Sequence, residues 1–157
     1  MEFNILSFIN VCQTVIHEYC QTDVKCGEVY YMAKDEYISK WDISGIMGLS
    51  GKDSGVIAIS LNRATAIRIT SILTNTEHTF IDADVSDTVE KIINAIVVNA
   101  KKHFDEKRLI KISSPSMVKG IGHSIVWPSG KNKIICVPFQ VFTDQEICLS
   151  FSANPAA

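Results

Sequence analysis

The residues best placed to do chemistry lie on one stretch, residues 86–101, where Asp87, Lys91, Asn94 and Val98 recur at spacings of four, three and four. At about 100° per residue they fall on one side of a helical wheel. Val89, Ile92, Ile93, Ile96, Val97 and Ala100 gather on the other side and form the expected core face. Glu90 and Ala95 flank the outer stripe. A carboxylate accepts hydrogen bonds, an ammonium donates them, and the Asn94 carboxamide does both. Asparagine is a poor helix former. Two readings are open: a core helix with stray apolar groups outside, which is ordinary, or a helix that presents polar groups to a partner. Asp84 or Ser86 is the expected N-cap.

Other chemistries find less support. Serine, histidine and aspartate are all present, but no Gly-x-Ser-x-Gly elbow fixes a triad. His123, in Gly120-Ile121-Gly122-His123, reads as a structural histidine bonded to a backbone carbonyl, and His17 as a surface histidine. No His/Cys/Asp spacing matches a zinc or calcium site. The run Ser50-Gly51-Lys52-Asp53-Ser54-Gly55 lacks the Gly-Lys-Ser/Thr order of a phosphate loop and precedes a strand rather than a helix; it reads as a hairpin turn. Five cysteines without a C-x-x-C pair argue against a disulfide framework.

The elements that must position the stripe follow from periodicity. A first helix over residues 3–20 carries Ile5, Leu6, Phe8, Ile9, Cys12, Val15, Ile16 and Tyr19 at helical spacing. A strand over 24–33 follows, then a loop at Lys34-Asp35-Glu36, then strands over 41–49 and 56–61. Asn62 caps a second helix reaching residue 74, with Ala66, Ile69, Ile72 and Leu73 inward. The long third helix ends near 104–106. Short apolar stretches at 110–112 and 117–118 are separated by Pro115, which marks an edge strand or a break. Gly120 and Gly122 bracket an expected turn, Ser124 to Trp127 opens another candidate strand, and Pro128-Ser129-Gly130 turns the chain. Strands over 133–142 and 146–151, linked by Thr143-Asp144-Gln145, complete it. The order is α-β-β-β-α-α-β-β-β: an α+β fold with long helices packed on a mainly antiparallel sheet. One domain over 1–153 and a short tail, 154–157, are expected.

A length of 157 residues, 46% hydrophobic and 20% charged, suits one soluble domain with a real core. A net charge of −2 without a basic cluster argues against nucleic acid as a partner. No apolar run approaches the roughly 18 residues of a membrane span. Met1-Glu2-Phe3-Asn4 lacks a basic signal-peptide region, so the expectation is a cytoplasmic protein with reduced cysteines.

The stripe resembles the signature helix of the chemotaxis phosphatases CheX and CheC. That pattern is an acidic or serine residue, three residues, a glutamate, two residues and an asparagine, often continuing into Gly-Asn-Ala-Lys. Asp87 matches the first position, Asn94 the asparagine, and Asn99-Ala100-Lys101 the continuation; Lys91 stands at the glutamate and Val98 at the glycine. Further matching segments are Phe8-Ile9-Asn10, residues 42–51 (Asp42 to Gly51), Ser54-Gly55-Val56-Ile57, residues 120–125, and Ile135-Cys136-Val137-Pro138-Phe139. The resemblance, closest to the CheX branch, implies a CheC-like fold and a homodimer with joined sheets. It implies a hydrolase that removes the aspartyl phosphate of a phosphorylated CheY-like response regulator. The regulator would supply the divalent metal, so the chain needs no cofactor of its own. Asn94 is then the water-positioning amide, with Glu90 as the available carboxylate and Asp87, Lys91, Ala95 and Val98 at the partner contact. A lysine at 91 repels the regulator lysine that the glutamate would pair with, by roughly 4 kcal/mol at 4 Å and an effective dielectric near 20. The charge inversion leaves two functional readings, turnover by Asn94 with or without Glu90, and binding without turnover; a purely structural dimer is the third.

Overall fold

The computed structural model describes residues 5–32, 40–50, 54–104, 110–127 and 134–154. In chain order the elements are α1 (Ile5–Cys20), β1 (Val24–Cys26), β2 (Tyr30–Met32), β3 (Trp41–Ser50), β4 (Ser54–Leu61), α2 (Arg63–Thr74) and α3 (Ala83–Phe104). They continue with β5 (Lys111–Ile112), β6 (Ser116–His123), β7 (Ile134–Val141) and β8 (Gln145–Asn154). The sheet runs β1-β7-β8-β4-β3-β5, with β2 also on β7 and β6 also on β3. Its pairings are antiparallel, as the α+β expectation required. The loop expected at residues 34–36, the turns expected at 51–53 and 128–130, and residues 155–157 of the expected tail lie outside the described residues. The β3–β4 register, ending with Leu49 opposite Gly55, nevertheless makes those strands a hairpin.

Strand alternation sorts the side chains into two clusters. Ile57, Ile59 and Leu61 of β4, Val137, Phe139 and Val141 of β7, and Ile147, Leu149 and Phe151 of β8 join buried residues of all three helices in the main core. The residues between them, Ala58, Cys136 and Cys148, face the other way and pack with Trp41, Trp127 and Ile134. The sheet is thus covered by helices on one face and by a smaller apolar cluster on the other.

Helix α3 is seated by its core stripe: Val89, Ile92, Ile93, Ile96, Val97 and Ala100 are each no more than 1% exposed. It approaches β3 closely at Gly45, where an added Cβ would lie 3.0 Å from Ile93 Cγ2. Glycine here is a packing requirement.

Several expectations are corrected. The N-cap of α3 is Asp82, whose Oδ1 accepts the Val85 N–H at 2.9 Å, rather than Asp84 or Ser86. The strand expected over 24–33 is two strands, because the ladder breaks opposite Pro138. Proline offers no N–H to the β1–β2 side, and only its carbonyl is used there, by the Gly27 N–H at 2.7 Å. Gly120 and Gly122 do not bracket a turn. They lie within β6, whose register against β3 shifts between Trp41 and Ile43, and Gly122 takes φ 66° at that irregularity. Ser124 to Trp127 is irregular rather than a strand, and Trp127 closes the second cluster. Leu6 is 69% exposed, with Val11 taking a place in the core, and Leu73 of α2 also faces outward. Asn62 does cap α2, accepting the Thr65 N–H at 2.9 Å. Asn154 pairs with Ser54 at the end of β8. Among the described residues, no helix is long and apolar enough to cross a membrane.

Candidate functional site

The outer side of α3 is as polar as the wheel implied. Asp87, Lys91, Asn94 and Val98 are exposed, Val98 at 37%, while Glu90 and Ala95 are half-buried. Asp87, Glu90, Lys91 and Asn94 line one cleft of about 380 Å³, with Pro115 as its lip. Ala95 and Val98 are not among the residues lining that cleft. Pro115 was legible only as a strand breaker; nothing in its local sequence links it to α3, since the sheet edge brings the two together.

The bonding of these groups matters more than their proximity. Among the described residues, no hydrogen bond or ion pair engages the side chains of Asp87, Glu90, Lys91 or Asn94. Asp87 and Lys91 stand one turn apart, yet they do not approach within ion-pair distance. By contrast Asn99, on the same helix, spends its amide on the Ala95 carbonyl at 2.7 Å. The stripe therefore offers one free amide, one free ammonium and two free carboxylates in a single cleft.

The helix that carries them is fixed at its start. His78 Nδ1 and Asp82 Oδ2 lie 2.8 Å apart, and His78 Nε2 is 3.0 Å from Thr74 Oγ1. The His78 hydrogen bond, reinforced by the Val85 N–H, holds the Asp82 carboxyl below the usual carboxylate range. With Asp84 these residues place three donor atoms within 4.8 Å of one another, an arrangement the sequence spacing did not suggest. Both imidazole nitrogens are already bonded within the chain, which makes the cluster a brace for the helix start.

The remaining reactive groups are structural. His123 Nδ1 donates to the Gly120 carbonyl at 2.9 Å, and Nε2 lies 2.7 Å from Ser44 Oγ; Ser60 Oγ is 2.8 Å from Ser44 Oγ. Ser44 is fully buried, and the chain of bonds clasps β6 to β3 and β4. His17 Nδ1 meets the Thr22 carbonyl at 2.7 Å. Cys136, Cys148 and Tyr30 share the second apolar cluster. The interaction between the two thiols lowers the Cys136 pKa and raises the Cys148 pKa, with burial adding to the rise at Cys148. A larger groove of about 440 Å³ runs between α1 and α3, lined by Ser7, Asn10, Thr14, Glu18, Asn99 and Lys102 among others. Its size exceeds that of the α3 cleft; Thr14 and Asn99 are bonded to their own helices, while Asn10, Glu18, Lys102 and His103 bring an amide, a carboxylate, an ammonium and an imidazole to it.

Three helices packed on one face of a mainly antiparallel sheet, one of them turning a polar stripe outward, make up a CheC-like fold. The chemotaxis phosphatase CheX family matches residues 43–140, more than half of the chain, which therefore belongs to that family. Solved structures agree on the fold. A CheC-like superfamily protein from Shewanella sp. PV-4 superposes with a TM-score of 0.83 at 20% identity, covering 96% of this chain and 97% of its own. The chemotaxis protein CheX from Desulfovibrio desulfuricans gives 0.82 at 22%, covering 95% and 97%. The CheX of a CheX–CheY–BeF3–Mg2+ complex from Borrelia burgdorferi gives 0.82 at 19%, covering 99% and 100%. No curated protein matches the chain.

Proposed function

We propose that this chain dephosphorylates the aspartyl phosphate of a CheY-like response regulator, with Asn94 as the amide that orients the attacking water. The observation that carries this reading is the free Asn94 carboxamide in a cleft whose other polar groups are equally unbonded. Each of these groups can meet a partner without first giving up a bond within the chain. The known complex of a related CheX with CheY makes a regulator the natural partner. The regulator supplies the phosphoryl group and its divalent metal; this chain supplies position and electrostatics, which is most of what phosphoryl transfer asks of a protein. Glu90, half-buried in the cleft wall, is the carboxylate available beside Asn94. Asp87, Lys91, Ala95 and Val98 form the contact around it.

Two further parts of the reading rest on the sheet edge and the setting. Strand β6 pairs with β3 on one side, and among the described residues no strand covers the other. Ile121 on it is 94% exposed and Val118 is exposed beside it. Such an edge is a template for pairing with a second copy, and a homodimer joined through β6 is the assembly we propose. The same reading has the protein act in the cytoplasm, the setting expected from its sequence.

A second reading, binding without turnover, is favoured by one observation: Lys91 occupies the position where the resemblance calls for a carboxylate. The deciding experiment follows the decay of aspartyl phosphate on a purified CheY-like regulator, with and without this protein and its Asn94→Ala variant. Faster decay that depends on Asn94 establishes the phosphatase. Binding with an unchanged decay rate establishes the adaptor, and neither effect removes the regulator as partner.

A further inference from the structure

The wall of the cleft opposite α3 is built by an irregularity of the sheet edge. Leu49 pairs with Ile112 and Ile46 with Ser116. Two residues of β3, Met47 and Gly48, thus stand against three, Ser113, Ser114 and Pro115. One extra residue on one strand is a β-bulge, which bends that strand and re-aims its side chains. A reciprocal pair of bonds clamps the bulge to β3. The Ser113 N–H donates to the Gly48 carbonyl at 2.9 Å, and Ser113 Oγ accepts the Gly48 N–H at 2.8 Å. The hydroxyl's own proton goes to the Ser114 carbonyl at 3.2 Å. Pro115 ends the bulge, where its missing N–H leaves no ladder bond unmade. It is half-buried and lines the cleft with Asp87, Glu90, Lys91 and Asn94. Among the described residues it is the apolar member of that lining.

We propose that Pro115 is a second docking point of this site, seating an apolar side chain of the phosphorylated receiver while Asn94 meets the reacting group. Ser113 is the positioning residue that holds it there. The inference rests on the reading of α3 as the face that meets a receiver. A proline ring offers no side-chain hydrogen bond, so the contact it favours is apolar. The ring has almost no rotamer freedom to lose, and the clamp fixes its place before a partner arrives, which lowers the cost of contact. A receiver held by α3 alone can still pivot about the helix. A contact across the cleft removes that freedom, and with it an error in position that the reacting water does not tolerate.

The test uses the full-length protein and a CheY-like receiver with magnesium. Beryllofluoride holds the receiver activated for affinity measurements, and acetyl phosphate phosphorylates it for decay. The variants are Pro115→Ala, Ser113→Ala, Ser113→Thr and the double Ser113→Ala/Pro115→Ala. Ser114→Ala is the control, because Ser114 is exposed and does not line the cleft. Circular dichroism melts confirm folding. Pro115→Ala removes two ring carbons from the contact. It is expected to weaken affinity, and to raise the receiver concentration for half-maximal decay, about three- to tenfold, with a smaller change in the limiting rate. Ser113→Ala should give a lesser loss in the same direction, and Ser113→Thr, which keeps the hydroxyl, should restore it. In the Pro115→Ala background, Ser113→Ala should still lower the melting temperature but leave affinity where it was. Affinity decides the matter whether or not the receiver is turned over. A Pro115→Ala affinity equal to wild type or to the Ser114→Ala control overturns the inference, and so do losses at Ser113 and Pro115 that simply multiply. A wild type that binds no receiver overturns the underlying reading and this inference with it. Decay indifferent to Asn94→Ala, beside a clear loss of affinity at Pro115, removes only the catalytic reading.

Discussion

Replacement of Gly45 by alanine tests whether α3 is seated on β3 as described. The added Cβ would stand 3.0 Å from Ile93 Cγ2, 3.2 Å from Met117 Sδ and 3.4 Å from Ile59 Cγ2. Met117 is flexible and can yield, but Ile93 is fully buried on the helix, so its methyl moves only if α3 moves. Overpacking of this kind costs about 1–3 kcal/mol. Replacing a strand glycine by alanine returns about 0.5–1 kcal/mol, leaving a net loss of about 0.5–2 kcal/mol for Gly45→Ala. Ile93→Ala alone costs about 2–5 kcal/mol, but it removes the Cγ2 that the new methyl meets. In that background Gly45→Ala should be neutral or stabilising. The double-mutant cycle should therefore show a coupling of about 1–2 kcal/mol. Urea unfolding followed by the fluorescence of buried Trp41 and Trp127 measures all four corners. Additivity within about 0.5 kcal/mol would refute the contact and, with it, the claim that Gly45 sets the height of the helix.

Two further outcomes follow from other parts of the fold. Ile121→Lys, which charges the open edge of β6, should convert a dimer to a monomer in analytical ultracentrifugation with little change in the unfolding midpoint; a dimer that survives it is built elsewhere. The Asp82 carboxyl has a folded pKa depressed by His78 and the Val85 N–H. Its contribution is therefore whole above the unfolded value of about 3.9 and is lost as pH falls through the lower folded value. The melting-temperature gap between wild type and Asp82→Asn, which keeps a capping acceptor, should hold steady from neutral pH to about pH 5 and narrow below about pH 4. A gap independent of pH would mean that the carboxylate charge does nothing at this helix start.

How far the sequence disclosed this protein depended on whether the deciding contact was local. The core and outer faces of α3 were legible because 22 residues repeat one period, and every residue assigned to its core face is buried. Asn62 was legible as a cap because the helix signal begins directly after it. The start of α3 was not, because Asp82, Asp84 and Ser86 are all capping residues, and the choice falls to His78, which holds one oxygen of Asp82 and leaves the other for Val85. The break between β1 and β2 depends on Pro138, far away in the chain, so the run from Val24 read as one strand. Gly120 and Gly122 carry turn chemistry, but pairing with β3 kept them in the ladder. For the site, residue types and spacing gave Asp87, Lys91 and Asn94. Pro115 and the absence of an Asp87–Lys91 pair are tertiary facts that no spacing encodes.

The unbonded state of the cleft constrains how such a site can work. Positioning catalysis needs its groups held to within a fraction of an ångström, and most sites achieve this with a second layer of hydrogen bonds. Asn94 has none among the described residues, so its accuracy must come from the backbone beneath it. That backbone is pinned at its start by His78 and Asp82, and at mid-length by Ile93, the residue before Asn94, packed against Gly45. On the proposed reading the rotamer of Asn94 would be selected by the bound regulator, while its location is set by the fold. Loosening the Gly45–Ile93 seat should then slow Asn94-dependent decay more than it weakens binding, since the wider contact tolerates a displacement that the reacting water does not.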